Sequence, residues 1–103
     1  MAIDRFITLD PLGRTIRLTH ACYFEHILVE HPDLDDDSEI EDAIRRSEII
    51  TVDAIDDLRR IYYRTYQRSP QRWWLKVVVE DDEVVTAYRV NRIKRGEKVL
   101  WQR

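Results

Sequence analysis

Apolar and polar side chains alternate through Arg5-Phe6-Ile7-Thr8-Leu9 and again through Arg14-Thr15-Ile16-Arg17-Leu18, with Asp10-Pro11-Leu12-Gly13 between them. A period of two interrupted by Pro and Gly predicts a β-hairpin. The period then lengthens. From Thr19, a side chain able to cap a helix, to His31 there is neither Gly nor Pro, and Phe24, Ile27 and Leu28 recur at three- and four-residue spacing. That spacing is the inward stripe of a first helix, which Pro32 ends by disfavouring helical geometry at His31. After an acidic link from Asp33 to Asp37, Ser38 and Glu41 have the spacing of a capping box before Ile40, Ala43 and Ile44. A second, short helix ending near Arg46 is expected.

Beyond Arg46 the period shortens again. Ile49-Ile50-Thr51-Val52 reads either as a strand or as an extended connection, and Ala54 to Leu58 as a helical turn. Arg60 to Tyr66, Trp73 to Glu80 and Val84 to Asn91 are rich in β-branched and aromatic residues. Arg68-Ser69-Pro70 and Glu80-Asp81-Asp82-Glu83 divide them, short enough for antiparallel hairpins. Lys98 to Gln102 follows a turn signal at Arg95-Gly96. The expectation is one α+β domain over residues 1–103: a short amino-terminal hairpin, two helices, then a roughly four-stranded antiparallel sheet.

Composition narrows the class. With 44% hydrophobic and 36% charged residues, two Gly and three Pro, the chain reads as a globule and not as a disordered or low-complexity segment. No apolar run approaches the roughly 20 residues of a membrane span. A lone cysteine, Cys22, and no leader-like opening lead us to expect a reducing, cytoplasmic setting. The net charge of −3 hides a sorting: residues 1–52 carry five Arg against twelve acids, whereas residues 53–103 carry twelve Lys and Arg against eight.

In the basic half, Arg59 to Lys76 holds six cations, no acid and five large aromatics. Cations neutralise phosphates and exposed rings stack on unpaired bases, a mixture suited to single-stranded or looped RNA. If Ile61, Tyr63 and Thr65 face the helices, Arg60, Tyr62, Arg64 and Tyr66 point outwards together, beside Trp74 and Lys76 of the next strand. The plainer alternative is a polar outer sheet face whose Tyr and Trp are there as strand formers.

Proton chemistry points to the first helix, which carries all three histidines, His20, His26 and His31. His20 and His26 are six apart and so lie on different sides of a helix, without the four-residue partner of a helical zinc pair. Asp33 to Glu39 alternates acids like a calcium loop, but Ser38 stands where Gly should turn the chain and Ile44 where the bidentate Glu should be. Nor is there a Gly-rich phosphate loop. Neither a metal nor a cofactor is expected.

Several of these pieces in order carry a resemblance: Gly13-Arg14 and Ile16, Glu25-His26-Ile27-Leu28 with His31-Pro32, Tyr62-Tyr63, Leu75-Lys76-Val77-Val78-Val79, and Thr86-Ala87-Tyr88. Over residues 13–101 the chain resembles the phage-associated barnase, EndoU, colicin and RelE-like (BECR-fold) nuclease domains, small metal-independent ribonucleases found as toxins or phage-linked effectors. The resemblance implies two helices before a four-stranded antiparallel sheet, and an endoribonuclease that cleaves RNA through attack by the ribose 2′-hydroxyl. It further implies His26 as proton-transfer group with His31 as the alternative, Lys76 and Arg64 as phosphate partners, and Thr86 and Tyr88 as hydrogen-bonding or relay residues. RNA is the implied partner, together with a cognate inhibitor or antitoxin. A non-catalytic RNA-binding or protein-interaction domain of the same fold is the alternative. The pI near 5.6 departs from the basic character usual in such toxins.

Overall fold

A computed structural model describes residues 3–66 and 73–103 of the chain. The amino-terminal hairpin forms as expected from β1 (Asp4–Leu9) and β2 (Thr15–Thr19). Its turn is organised by Asp10, whose Oδ1 accepts from the backbone N–H groups of Leu12 and Arg14 at 2.9 and 2.8 Å. Gly13 completes it at φ +88°, with open space around the position of a Cβ. Gly13→Ala is therefore a test of backbone strain alone. It should cost about 1–2 kcal/mol, the penalty of a left-handed L-residue, read as a shift in the urea midpoint at unchanged slope.

The first helix, α1, covers residues 20–30 and has an irregular centre. Thr19 caps it as expected, its Oγ1 accepting from Cys22 N at 3.1 Å, but Tyr23–Ile27 is a π-helical turn between short α-helical ends. The wide turn shifts the phase of the buried stripe. Tyr23 and Ile27 enter the core, and Tyr23 donates its hydroxyl to Leu34 O at 2.8 Å, while Phe24 stays largely exposed beneath the Arg5 guanidinium. In α2 (Asp37–Arg45) the cap is Asp36, not Ser38, and Ile40, Ala43 and Ile44 are buried as their spacing predicts.

The rest is β. Ile49–Val52 is a true strand, β3; then come β4 (Arg59–Thr65), β5 (Trp74–Glu80), β6 (Glu83–Val90) and β7 (Lys98–Gln102). Residues 54–58 form no helix. Instead Asp53 Oδ1 accepts from Ile55 N and Asp56 N in a tight turn. Between β5 and β6, Asp81 and Asp82 both take positive φ, the mirror-image turn that suits a two-residue hairpin loop. The expected turn at Arg68-Ser69-Pro70 lies outside the described residues.

The expected four-stranded antiparallel sheet is not what forms. Among the described residues the sheet is seven-stranded and mixed, in the order β1-β2-β6-β5-β4-β3-β7. Two features cause the difference. The hairpin joins the sheet through a short parallel contact, Arg17 opposite Glu83, and Arg17 N donates to Asp82 O at 2.9 Å. And β7 does not pair with β6: it crosses to the far edge and pairs antiparallel with β3. That edge is four strand spacings from β6, roughly 19 Å, within the reach of the seven residues 91–97 (at most about 24 Å).

Both helices pack on one face of this sheet, burying Ile16, Leu18, Ile50, Tyr62, Leu75, Val77, Val79 and Ala87 beneath them. The connection 91–97 crosses the other face as a strap. There Ile61, Tyr63 and Val78 form a second apolar cluster, with Ile93 of the strap, Trp74 and Tyr88 packed against it. Among the described residues no helix is long and apolar enough to cross a membrane.

Candidate functional site

The strand registers decide which of the expected site residues meet. Tyr62 lies opposite Val77, Arg64 opposite Leu75 and Arg60 opposite Val79, so Arg60, Tyr62, Arg64 and Tyr66 point towards the helices. The expected outward face of β4 is thereby corrected. Tyr62 is fully buried, its hydroxyl donating to Asp10 Oδ2 at 2.6 Å, and Tyr66 is buried near the β4 end. Arg64 donates to Arg46 O at 3.0 Å, and Arg60 Nη1 sits 3.8 Å from the fully buried Asp10 carboxylate. Neither tyrosine offers a face to a base in this arrangement.

Lys76, Trp74, Thr86 and Tyr88 do lie on the opposite face, but Lys76 is not an open cation. Its side chain is 7% exposed, its Nζ is 3.4 Å from Oε2 of Glu97, and the Glu97 side chain is itself only 1% exposed. Oε1 of Glu97 accepts from the hydroxyls of Tyr63 and Thr51, each at 2.7 Å. The Lys76 ammonium also lies 5.7 Å from the Tyr63 ring centroid and 5.6 Å from that of Tyr88, near enough for attraction to both rings. Every polar group of this buried network has a partner, the condition under which burial of charge is tolerated.

At its rim the network reaches the first helix. His31 ends α1 and its ring stacks on Tyr88, with centroids 5.5 Å apart and planes 23° off parallel. Tyr88 faces Lys76 directly in the β5–β6 ladder, with Thr86 two residues earlier on the same face and half-buried. Trp74, half-buried, meets Tyr63 edge-on at 6.3 Å. The structure thus gathers Lys76, Tyr88, His31 and, close by, Thr86 and Trp74. His26 stands apart: its Nδ1 is 3.1 Å from Oε1 of Glu30, both half-exposed, and among the described residues it joins the cluster through no hydrogen bond or ring contact.

Sequence reasoning missed Tyr63, Thr51 and Glu97. One signal was available for Glu97, the only acid between Val84 and Arg103 in an otherwise basic segment. Among the described residues no group of three or more His, Cys, Asp or Glu side chains could hold a metal ion.

Burial sets the titration of the two central tyrosines. Desolvation, then the bond to a carboxylate, raises both phenols far above the ordinary value, Tyr62 beside Asp10 and Tyr63 beside Glu97. A folded pKa raised in this way means that the stability it contributes is whole below the unfolded phenol value near 10 and drains away above it. We expect phenolate absorbance from Tyr62 and Tyr63 to appear only as the protein unfolds in alkali. Ionisation of all five tyrosines in a still-folded protein, followed by absorbance and circular dichroism together, would contradict this burial.

Comparison with protein-family models, with curated proteins and with solved structures finds no match.

Proposed function

We propose that the protein is a metal-independent endoribonuclease, as the resemblance of its motifs implies, acting at the rim where His31 meets Tyr88. The observation that carries this reading is the stack of the His31 imidazole on Tyr88 with the Lys76 ammonium beneath the same phenol ring. An imidazole is suited to take the proton of a ribose 2′-hydroxyl as its oxygen attacks the adjacent phosphorus. The P–O5′ bond then breaks, leaving a 2′,3′-cyclic phosphate, and O5′ takes a proton from the Tyr88 phenol. The Lys76 side chain supports that ring from the sheet, and Thr86, on the same face of β6, bonds a phosphate oxygen. His31 therefore replaces His26 as our choice of proton-transfer group, because among the described residues His26 is paired with Glu30 alone.

Cleavage of single-stranded RNA in excess EDTA, lost in His31→Ala, tests the proposal; cleavage that requires a divalent cation would overturn it. An RNA substrate and a lone unpaired cysteine fit a cytoplasmic site of action, and a toxin of this kind implies an inhibitor protein that covers the rim.

One observation favours a second reading, a non-catalytic RNA-binding domain. Lys76 is held in an ion pair with Glu97 and turned away from solvent. RNA binding without any product, including from structured RNAs, selects that reading.

A further inference from the structure

The strap between β6 and β7 sorts its charges by direction. Glu97, the sole acid from residue 84 to the end of the chain, is turned inwards and bonded to Lys76, Tyr63 and Thr51. Its neighbours Arg92, Lys94, Arg95 and Lys98 are all exposed. Asp53 faces Lys94, whereas Arg92, Arg95 and Lys98 are in no ion pair among the described residues. Gly96, at φ +89°, makes the turn that lets Glu97 point in while the cations on either side point out, and it packs close to Ala54. A segment that would carry mixed charge in an extended chain thus presents cations alone to solvent.

The strap leaves β6 two residues after Tyr88, and Val90, where it starts, lies opposite Trp74 in the ladder. Both rings are half-buried and keep part of their surface open. Cations along a segment that begins beside two partly open aromatic rings are the combination that holds a single strand: charges grip successive phosphates and rings stack on unpaired bases. We propose that strap residues Arg92 and Arg95, with Lys98 at the start of β7, form the phosphate-binding track for single-stranded RNA, leading the chain towards the His31–Tyr88 rim. The proposal takes its ligand from the RNA reading above. The RNA-binding role thereby moves from β4, whose Arg60, Tyr62 and Arg64 face the helices, to a connection the sequence marked only as a turn.

The test measures binding of a fluorescent single-stranded 2′-O-methyl oligonucleotide, which lacks the attacking hydroxyl, across a salt series. Wild type is compared with Arg92→Gln/Arg95→Gln/Lys98→Gln. Three lost phosphate contacts should flatten the slope of log affinity against log salt by about 2 and weaken binding about a hundredfold at 0.1 M salt, at an unchanged urea midpoint. A triple variant with wild-type affinity and slope, absence of wild-type binding at low salt, or tighter binding of a duplex of equal length would each overturn the proposal. Cleavage of ordinary RNA is read separately. Binding that the three substitutions weaken, without cleavage by the wild type, would sink the ribonuclease reading and support the track, whereas cleavage with binding insensitive to the three substitutions would sink the track alone.

Discussion

Lys76→Met should destabilise the protein by about 3–5 kcal/mol, the penalty of removing one partner from a buried ion pair. Methionine keeps most of the stem and its packing between Tyr63 and Tyr88, so the loss is essentially that of the charge. The Glu97 carboxylate would remain, its side chain 1% exposed, with two hydroxyl partners and no cation. The companion variant Lys76→Met/Glu97→Gln removes both charges and leaves an amide oxygen to accept from Tyr63 and Thr51. It should recover most of the lost stability, since a neutral buried pair no longer carries an uncompensated charge. Urea unfolding of wild type, both single variants and the double variant gives the coupling directly. A single variant within about 1 kcal/mol of wild type, the typical worth of an exposed pair, would mean that the pair does not hold the strap.

The second large effect is on activity. On the ribonuclease reading, His31→Ala removes the proton acceptor and should lower cleavage by about 10²–10⁴-fold, the range for a lost general base. The fold should survive, because the chain end of α1 is held by the backbone bond from His31 N to Ile27 O and by Leu34 in the core. His26→Ala, which removes only the contact with Glu30, should leave cleavage within a few-fold of wild type. Tyr88→Phe separates chemistry from stacking: the ring and its contact with His31 remain, and only the hydroxyl is lost. A deep loss in Tyr88→Phe at unchanged stability supports a proton role for the phenol. Equal activity in wild type and His31→Ala would place the catalyst elsewhere.

How far the sequence discloses this arrangement depends on whether a signal is local. The hairpin, the two helices and the strands β4 to β7 are each marked by period and punctuation close at hand, and they form near the expected bounds. The partner of β7 is not a local property. It follows from the strap crossing a whole sheet face, made possible by a buried Lys76–Glu97 pair whose members are 21 residues apart. The phase of β4 was ambiguous for a different reason. Tyr62 and Tyr63 are adjacent, so either phase turns one tyrosine inwards, and the strand is in fact covered on both faces, where alternation loses its meaning. For β5 the regular Leu75, Val77 and Val79 left no such choice, and the expected core face is the one observed.

The candidate site divides in the same way. His31 was visible as a titratable group and Tyr88 as part of a motif, but their contact depends on the end of α1 reaching the β6 edge. Phe24 was misplaced by assuming a regular helix, because the π-turn Tyr23–Ile27 moves the buried position to Tyr23. Glu97 was hidden by its setting: an acid in a basic, turn-like stretch reads as a solvated surface charge until the fold folds it under.

The most direct measurement is the end chemistry of RNA fragments produced in excess EDTA. A defined single-stranded RNA is incubated with the wild-type chain and, in parallel, with His31→Ala, and the products are weighed by mass spectrometry. The account predicts upstream fragments ending in 2′,3′-cyclic or 3′-phosphate and downstream fragments beginning with a 5′-hydroxyl, from the wild type alone. Intact RNA, or fragments bearing 5′-phosphates, would contradict it.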